Sequence, residues 1–327
     1  MRRGGRDSMP EDPFDRDWQA PTGIAETLAP GLRRVLAPNP SAMTFRGTNT
    51  YLLGARALAV IDPGPDDDAH LAALRHAIGD AGVSHILVTH AHRDHSALAS
   101  RLAATTGAPV LAFGGPTAGR RRDMAALATS GDLGGGEGVD TGFLPDIRLG
   151  DGEVVAGADW TLQALHTPGH FGNHLCFAWG DAVFTGDTAM GWATTLISPP
   201  DGDLTDFMAS LTRLAARRDR VWYPGHGGPV TDPAGMAAWQ IAHRHARSDQ
   251  VRAALATGPA TPAAIADRLY AGMPPALIAA GARNVLAHLI DLSRQGAVRS
   301  AGAPGPDTRF ALAGSDKMPL DLGAGGC

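Results

Sequence analysis

The 327-residue chain has very little of two residues that often mark a protein class. It holds two cysteines, Cys176 and Cys327, and a single lysine, Lys317. Two cysteines cannot build a disulfide framework, which suits a reducing compartment. Cys176 lies in the apolar segment Leu175-Cys176-Phe177-Ala178-Trp179 and reads as a buried structural thiol. No run of about 18 apolar residues is present, which excludes a membrane-spanning helix. The stretch Met1 to Ser8 lacks the apolar core of a secretory signal. These absences lead to the expectation of a cytoplasmic protein with no membrane partner. An excess of positive charge is missing too. The net charge is −5 and the pI is near 6.2, so nothing global announces a nucleic-acid partner. The one basic run, Arg120-Arg121-Arg122, lies in a Gly-rich region and reads as a solvated loop.

What the chain does have is histidine, concentrated at one place. The stretch Thr89-His90-Ala91-His92-Arg93-Asp94-His95 packs three histidines and an aspartate into six residues. Ser84 to Val88 before it reads as a buried strand, and Ser96 to Leu102 after it as the start of a helix. The cluster therefore falls on a strand-to-helix turn, where side chains can converge. His90 and His92, two apart on extended backbone, point the same way and can share one ion. Asp94 and His95, on the turn, would face a neighbouring ion. Neutral imidazoles with an added carboxylate suit zinc or another divalent metal carrying water.

Three further segments repeat one design, a β-rich approach to a Gly or Pro turn that presents a ligand-type side chain. They are His166-Thr167-Pro168-Gly169-His170, Phe184-Thr185-Gly186-Asp187-Thr188 and Tyr223-Pro224-Gly225-His226-Gly227. Each is weak alone; in this order, beside the first cluster, they form a strong signal.

The pattern H-x-H-x-D-H at residues 90–95 resembles the signature of the metallo-β-lactamase superfamily. That resemblance implies an α+β fold, a four-layer αββα sandwich. It also implies two divalent ions: one held by His90, His92 and His170, a second by Asp94, His95 and His226, with Asp187 between them. Zinc is the expected metal, with Mn2+ or Fe2+ as alternatives. The implied chemistry is hydrolysis by a metal-bound hydroxide, with Asp94 helping to orient the nucleophile. His174, four residues after His170, is a candidate either for hydrogen-bonding a ligand or for proton donation. Asp62, at the end of the strand Leu58 to Ile61, reads equally as turn chemistry or as a hydrogen-bond partner of a ligand histidine. His166 is expected to pack or hydrogen-bond locally, and the remaining histidines to be structural or solvated.

The resemblance narrows further. Asn39-Pro40, Met43-Thr44, Gly47-Thr48-Asn49-Thr50-Tyr51-Leu52 and His92-Arg93-Asp94-His95-Ser96 look like the lactamase-beta-like branch, which includes a mitochondrial endoribonuclease and fungal thioesterases. Two departures, Phe171 after the Gly-His pair and the Gly-rich segment 114–142, lie where substrate should bind. That segment reads as a long flexible connection, either a mobile lip or an insertion.

Toward the C-terminus, Thr261-Pro262 is a good start for a helix over 263–271. A second helix carries Val285, Leu289 and Leu292 on one stripe and ends near Gly296. Residues 297–299 and 309–312 read as a β-hairpin, so the module resembles a winged helix. The expected domains are a mobile tail over 1–20, the metallo-β-lactamase domain over 21–232, a linker helix and winged helix over 233–312, and a tail over 313–327. Between residues 240 and 300 seven arginines face three acidic residues, a modest hint of a polyanionic partner. Solvated helix faces account for that excess equally well. It is the resemblance to the lactamase-beta-like branch that makes RNA the leading substrate expectation, with Arg283 and Arg294 as contacts. An acyl thioester or lactone is the alternative, and a winged-helix binding protein with a vestigial metal site is the non-enzymatic one. A homodimer is a possible assembly. Because all the ligand candidates precede the winged helix, the chemical step is expected not to need that module.

Overall fold

The computed structural model describes residues 11–129, 136 and 138–314. The chain begins with four antiparallel strands, β1 (Ala25–Ala29), β2 (Leu32–Leu36), β3 (Asn49–Leu53) and β4 (Leu58–Ile61). Helix α1 (Asp68–Ile78) then crosses to the parallel strand β5 (Val83–Leu87). After the short α2 (Arg93–Ser96) and α3 (Ala99–Thr106), β6 (Val110–Ala112) adds in parallel. Helix α4 (Arg122–Ala128) precedes β7 (Ile147–Arg148), which completes a seven-stranded sheet in sequential order. The second sheet holds β8 (Val154–Ala156), β9 (Thr161–His166), β10 (Leu175–Trp179) and β11 (Ala182–Gly186) in antiparallel succession. Helix α5 (Leu204–Ala215) lets β12 (Val221–Pro224) join β11 in parallel at the edge.

Alternation along these strands explains the layering, because side chains of period two face opposite sides of a sheet. Tyr51, Leu53, Ala59 and Ile61 turn inward to meet Leu162, Ala164, Leu175, Phe177 and Phe184 of the second sheet. Their neighbours Leu52, Leu58 and Val60 turn outward onto Leu74 and Ile78 of α1 and Leu102 of α3. On the far side Cys176, Val183 and Trp222 pack against Leu214 of α5 and Met236. Helices, two sheets and helices make the expected αββα sandwich.

The C-terminal module comprises α6 (Pro233–Leu255), α7 (Pro262–Leu269), α8 (Pro275–Arg294) and the hairpin of β13 (Val298–Ser300) and β14 (Phe310–Leu312). Asp232 and Thr261 cap α6 and α7, each with a proline in the first turn, where a missing N–H costs nothing. Val251, Ile265, Val285, Leu289, Val298 and Phe310 form its core.

Two expectations need correction. Residues 11–20, expected within a mobile tail, pack instead on the body. Phe14 meets Trp239 edge-on at 5.1 Å, and the Arg34 guanidinium lies 4.7 Å from the Trp18 ring. Residues 1–10 and 315–327 lie outside the described residues. The Gly-rich segment 114–142, expected as a flexible connection, contains α4, whose Met124 and Leu127 enter the core of the C-terminal module. The later part of the segment is pinned as well: Gly138 O accepts from Arg93 N, and Asp140 N donates to Ala91 O. Residues 130–135 and 137 lie outside the described set.

Candidate metal centre

The ligand-type side chains meet at the ends of the strands of both sheets. The loop after β5 carries His90 and His92, and α2 carries Asp94 and His95. His170 comes from the turn after β9, Asp187 from the end of β11 and His226 from the end of β12. Because β11 and β12 run parallel, their C-terminal ends lie at the same edge of the second sheet and present Asp187 and His226 together. Two glycines are required by close approach. A Cβ on Gly225 would come within 2.5 Å of Asp187 Oδ1, and one on Gly186, at φ +47°, within 2.7 Å of His174 Nε2.

The seven residues divide into groups whose ligand atoms lie within 4.8 Å of one another. His92 Nδ1 stands 2.8 Å from His90 Nε2 and 3.1 Å from His170 Nε2. Asp94 Oδ2 lies 3.3 Å from His95 Nε2 and 3.2 Å from His226 Nε2. Asp187 reaches both groups. Its Oδ1 is 3.5 Å from His95 Nε2, and its Oδ2 lies 3.4 Å from His226 and 3.7 Å from His170. The groups include the two triads that the resemblance implies, and a third made of His90, His95 and Asp187 overlaps both.

Neighbours fix the rings by their other nitrogens. His95 Nδ1 lies 2.9 Å from Asp62 Oδ2, His170 Nδ1 2.8 Å from Leu196 O, and His226 Nδ1 3.1 Å from Gly47 O. Each contact leaves Nε2 facing the cluster as an electron-pair donor. Asp62 itself accepts from Thr89 N at 2.7 Å and Thr89 Oγ1 at 2.9 Å, tying the first motif to β4.

The electrostatics split along the same line. Burial, reinforced by neighbouring imidazoles, pushes His90 well below the usual histidine range and His92 down to about 3; burial also lowers His170. For His95 and His226 burial acts in the same direction but loses to the carboxylates. Asp94, Asp187 and Asp62 raise His95 well above its ordinary value, and Asp187 and Asp94 raise His226 to about 10. The cluster is thus a buried concentration of carboxylate charge that calls for cations. Fit to a metal is also visible atom by atom. Among the described residues, His95 Nε2 and Asp187 Oδ1 are buried without a hydrogen-bond partner, an arrangement costly for a protein unless a cation closes it.

His174 was open to two roles, hydrogen-bonding a ligand or donating a proton, and its contacts are those of the first. It is fully buried, its Nε2 accepts from Asp187 N at 3.2 Å, and its Nδ1 lies 3.0 Å from Thr167 Oγ1. Both nitrogens are engaged, it is not part of the cavity wall, and it contacts the backbone of Asp187. His166 stacks on Phe113 at 3.8 Å and lies 3.0 Å from Gly172 O, a local role as expected. Phe171, the departure noted above, is buried against the His92 ring at 4.9 Å.

A cavity of about 360 Å³ opens beside the cluster. His92, Asp94, His170, Asp187 and His226 line it together with apolar Met43, Met190, Trp192 and Leu196. Gly136 and Gly138 of the Gly-rich segment line it too, and so does Arg283 of the C-terminal module. The sequence carries no periodic signal for this wall: Trp192 and Leu196 lie in an irregular loop, and Arg283 sits more than fifty residues beyond the last ligand motif.

Comparison with known proteins settles the lineage. Residues 43–226 match the model of the metallo-beta-lactamase superfamily, a stretch that holds all seven clustered residues. The chain belongs to the metallo-beta-lactamase superfamily. Residues 261–306 match the beta-lactamase associated winged helix domain, which agrees with the α7–α8–hairpin arrangement. Among curated relatives, an atrochrysone carboxyl ACP thioesterase of Cryptosporiopsis sp. is 32% identical over 240 residues, 72% of this chain and 66% of the relative. The chain thus spans just under two thirds of that protein's length. A beta-lactamase-like protein 2 homolog of Drosophila melanogaster is 30% identical over 83% of this chain and 91% of its own. A metallo-beta-lactamase family protein from Thermus thermophilus superposes with a TM-score of 0.71 at 28% identity, covering 88% of this chain and 100% of that one. The chain thus joins a metallo-β-lactamase domain to a C-terminal winged helix.

Proposed function

We propose that this hydrolase acts on a small acyl thioester or a similarly activated acyl compound. The cavity beside the ligand cluster carries the reading: at about 360 Å³ with Met43, Met190, Trp192 and Leu196 in its wall, it suits an acyl chain. A polynucleotide calls instead for a basic track along its phosphates. Among the seven arginines between residues 240 and 300, at least five are engaged elsewhere. Arg244 is buried, Arg247 lies over Tyr270, Arg252 pairs with Asp249, Arg268 bonds Thr257, and Arg294 is held between Asp123 and Asp203. The thioesterase relative supports the same choice.

His90, His92 and His170 would hold one divalent ion and Asp94, His95 and His226 a second, with Asp187 reaching both. When bound, the pair supplies a water that deprotonates near neutral pH and positive charge against the oxygen that becomes anionic. The chain's own residues do the remainder. Asp94, with a side chain 25% exposed beside the cavity, orients the attacking water by its carboxylate. Asp62 and the carbonyls of Leu196 and Gly47 keep the imidazoles aimed. The apolar wall holds the acyl group and limits bulk water. The water oxygen adds to the carbonyl carbon, the carbon–sulfur bond breaks, and the departing thiolate takes up a proton released by the water.

The test is a side-by-side assay of zinc- and manganese-loaded protein on N-acetylcysteamine thioesters and on single-stranded RNA. Thioester turnover should fall on the order of 100-fold or more in Asp94→Ala and in His226→Ala. Turnover of RNA alone would overturn the acyl reading.

A further inference from the structure

Among the described residues, Arg283 is the one cavity residue contributed by the winged-helix module. It lies on α8 and lines the same space as His92, Asp94, His170, Asp187 and His226. Its Nε is buried and has no hydrogen-bond partner, and among the described residues no carboxylate comes within ion-pair distance of its guanidinium. The other acids of the cavity are committed. Asp201 is bound by Arg120, while Asp94 and Asp187 face the histidine cluster. A guanidinium turned into a partly apolar cavity without a counter-charge is unfavourable, and it is relieved when an anion enters.

The position is built rather than incidental. Asn284, the next residue, is buried and accepts from Arg244 Nη1 at 3.2 Å. The last turn of α8 is anchored by Arg294, which bonds Asp203 Oδ2 at 2.7 Å and Asp123 Oδ2 at 2.6 Å. These contacts hold α8 against α4 and the start of α5, so Arg283 is presented by a fixed helix. Arg294, expected as a nucleic-acid contact together with Arg283, is instead an interdomain clamp.

We propose that Arg283 binds a second carboxylate of the substrate, away from the scissile carbonyl, so that the acyl group is that of a dicarboxylic acid. This inference rests on the acyl-hydrolase reading above. The planar guanidinium matches a carboxylate with two parallel hydrogen bonds, and the apolar wall between the cluster and the module suits a short methylene spacer. The cavity volume favours placing the anion on a small acyl half rather than on a long leaving group. The winged helix would then select substrate while the sandwich carries the chemistry.

The experiment compares the glutaryl thioester of N-acetylcysteamine with its terminal carboxamide analogue, isosteric and uncharged. In the metal-loaded wild type the charged substrate should be preferred. In Arg283→Ala the ratio of kcat/KM for glutaryl over carboxamide should fall about 10- to 100-fold, mostly through KM, and Arg283→Lys should restore part of it. Glutarate binding followed by titration calorimetry gives a readout independent of turnover, and it should weaken by the same factor in Arg283→Ala. An unchanged ratio with unchanged glutarate binding, in a variant that melts like the wild type, overturns the proposal. So does a loss that tracks a phosphate on the leaving half, seen by comparing pantetheine with phosphopantetheine thioesters of one acyl group. Absence of turnover on every thioester would instead sink the acyl-hydrolase reading, while glutarate binding would still report on Arg283.

Discussion

The guanidinium of Arg244, on helix α6 of the C-terminal module, donates to the main-chain oxygen of Thr195 in the loop beside the ligand cluster. Thr195 in turn donates its hydroxyl to Asp187 O at 2.7 Å. Two hydrogen bonds thus connect the linker helix to the main chain of the residue whose carboxylate reaches both ligand groups. The sequence suggested that the chemical step would not need the C-terminal module, since every ligand precedes it. The module nevertheless braces that loop and lines the cavity, which places it to bind substrate and to steady Asp187.

Replacing Arg244 by Met keeps most of the apolar volume but removes the donor. Burial already pushes Arg244 down to about 10, so its charge is held at a cost and its hydrogen bonds matter. We expect a stability loss of about 1–3 kcal/mol and a lower kcat, read from denaturant melts and steady-state rates. Full kcat with a lowered melting point would limit Arg244 to a structural role.

Asp62 governs His95. In Asp62→Asn the carboxylate that faces His95 Nδ1 is lost, and with it the preference for a bare Nε2 toward the cluster. Metal affinity should drop by about 10- to 100-fold, measured by competition with a chromogenic chelator. Equal affinity in the two proteins would mean that the ring is oriented by packing alone.

Asp187 is the shared carboxylate. Elemental analysis of gently purified protein should find about two divalent ions per chain and fewer in Asp187→Ala, because this side chain reaches both groups. A single ion in the wild type, unmoved by metal supplementation and by the substitution, would argue against a paired centre.

His70 sets a pH dependence of stability. It is buried in α1 with its Nε2 2.9 Å from Thr50 Oγ1, and burial lowers it to about 4 from 6.5. Between those values the unfolded chain binds a proton that the folded chain refuses, so stability falls as pH falls from 6.5 toward 4. Below both, the loss amounts to about 3 kcal/mol. The melting temperature of His70→Gln should therefore decline less steeply than that of the wild type over this window. Parallel slopes would exclude His70 as the source.

Much of the architecture was legible from local pattern. Leu58 to Ile61 and Val83 to Leu87 announce themselves as strands by β-branched content and flanking turns, and α7 by Thr261-Pro262. Helix α5 went unread although its signal was present: Asp203 caps it, and Leu204, Phe207, Leu211 and Leu214 form one buried stripe. The Gly-rich segment misled in the opposite direction, since its glycines hid the short helix α4. Met124 and Leu127 are too few to mark that helix until the C-terminal core covers them.

The sequence by itself determined the donor set. Imidazoles and carboxylates at His90, His92, Asp94, His95, His170, Asp187 and His226 are written into short motifs, because a turn of Gly or Pro at a strand end is a local device. The tertiary structure alone decided what surrounds them. Whether His174 meets solvent, whether Arg294 is free, and whether Arg283 reaches the cavity depend on how α8 docks on α4 and α5. That docking is set by contacts between residues as far apart as Asp123 and Arg294, and no local pattern encodes it.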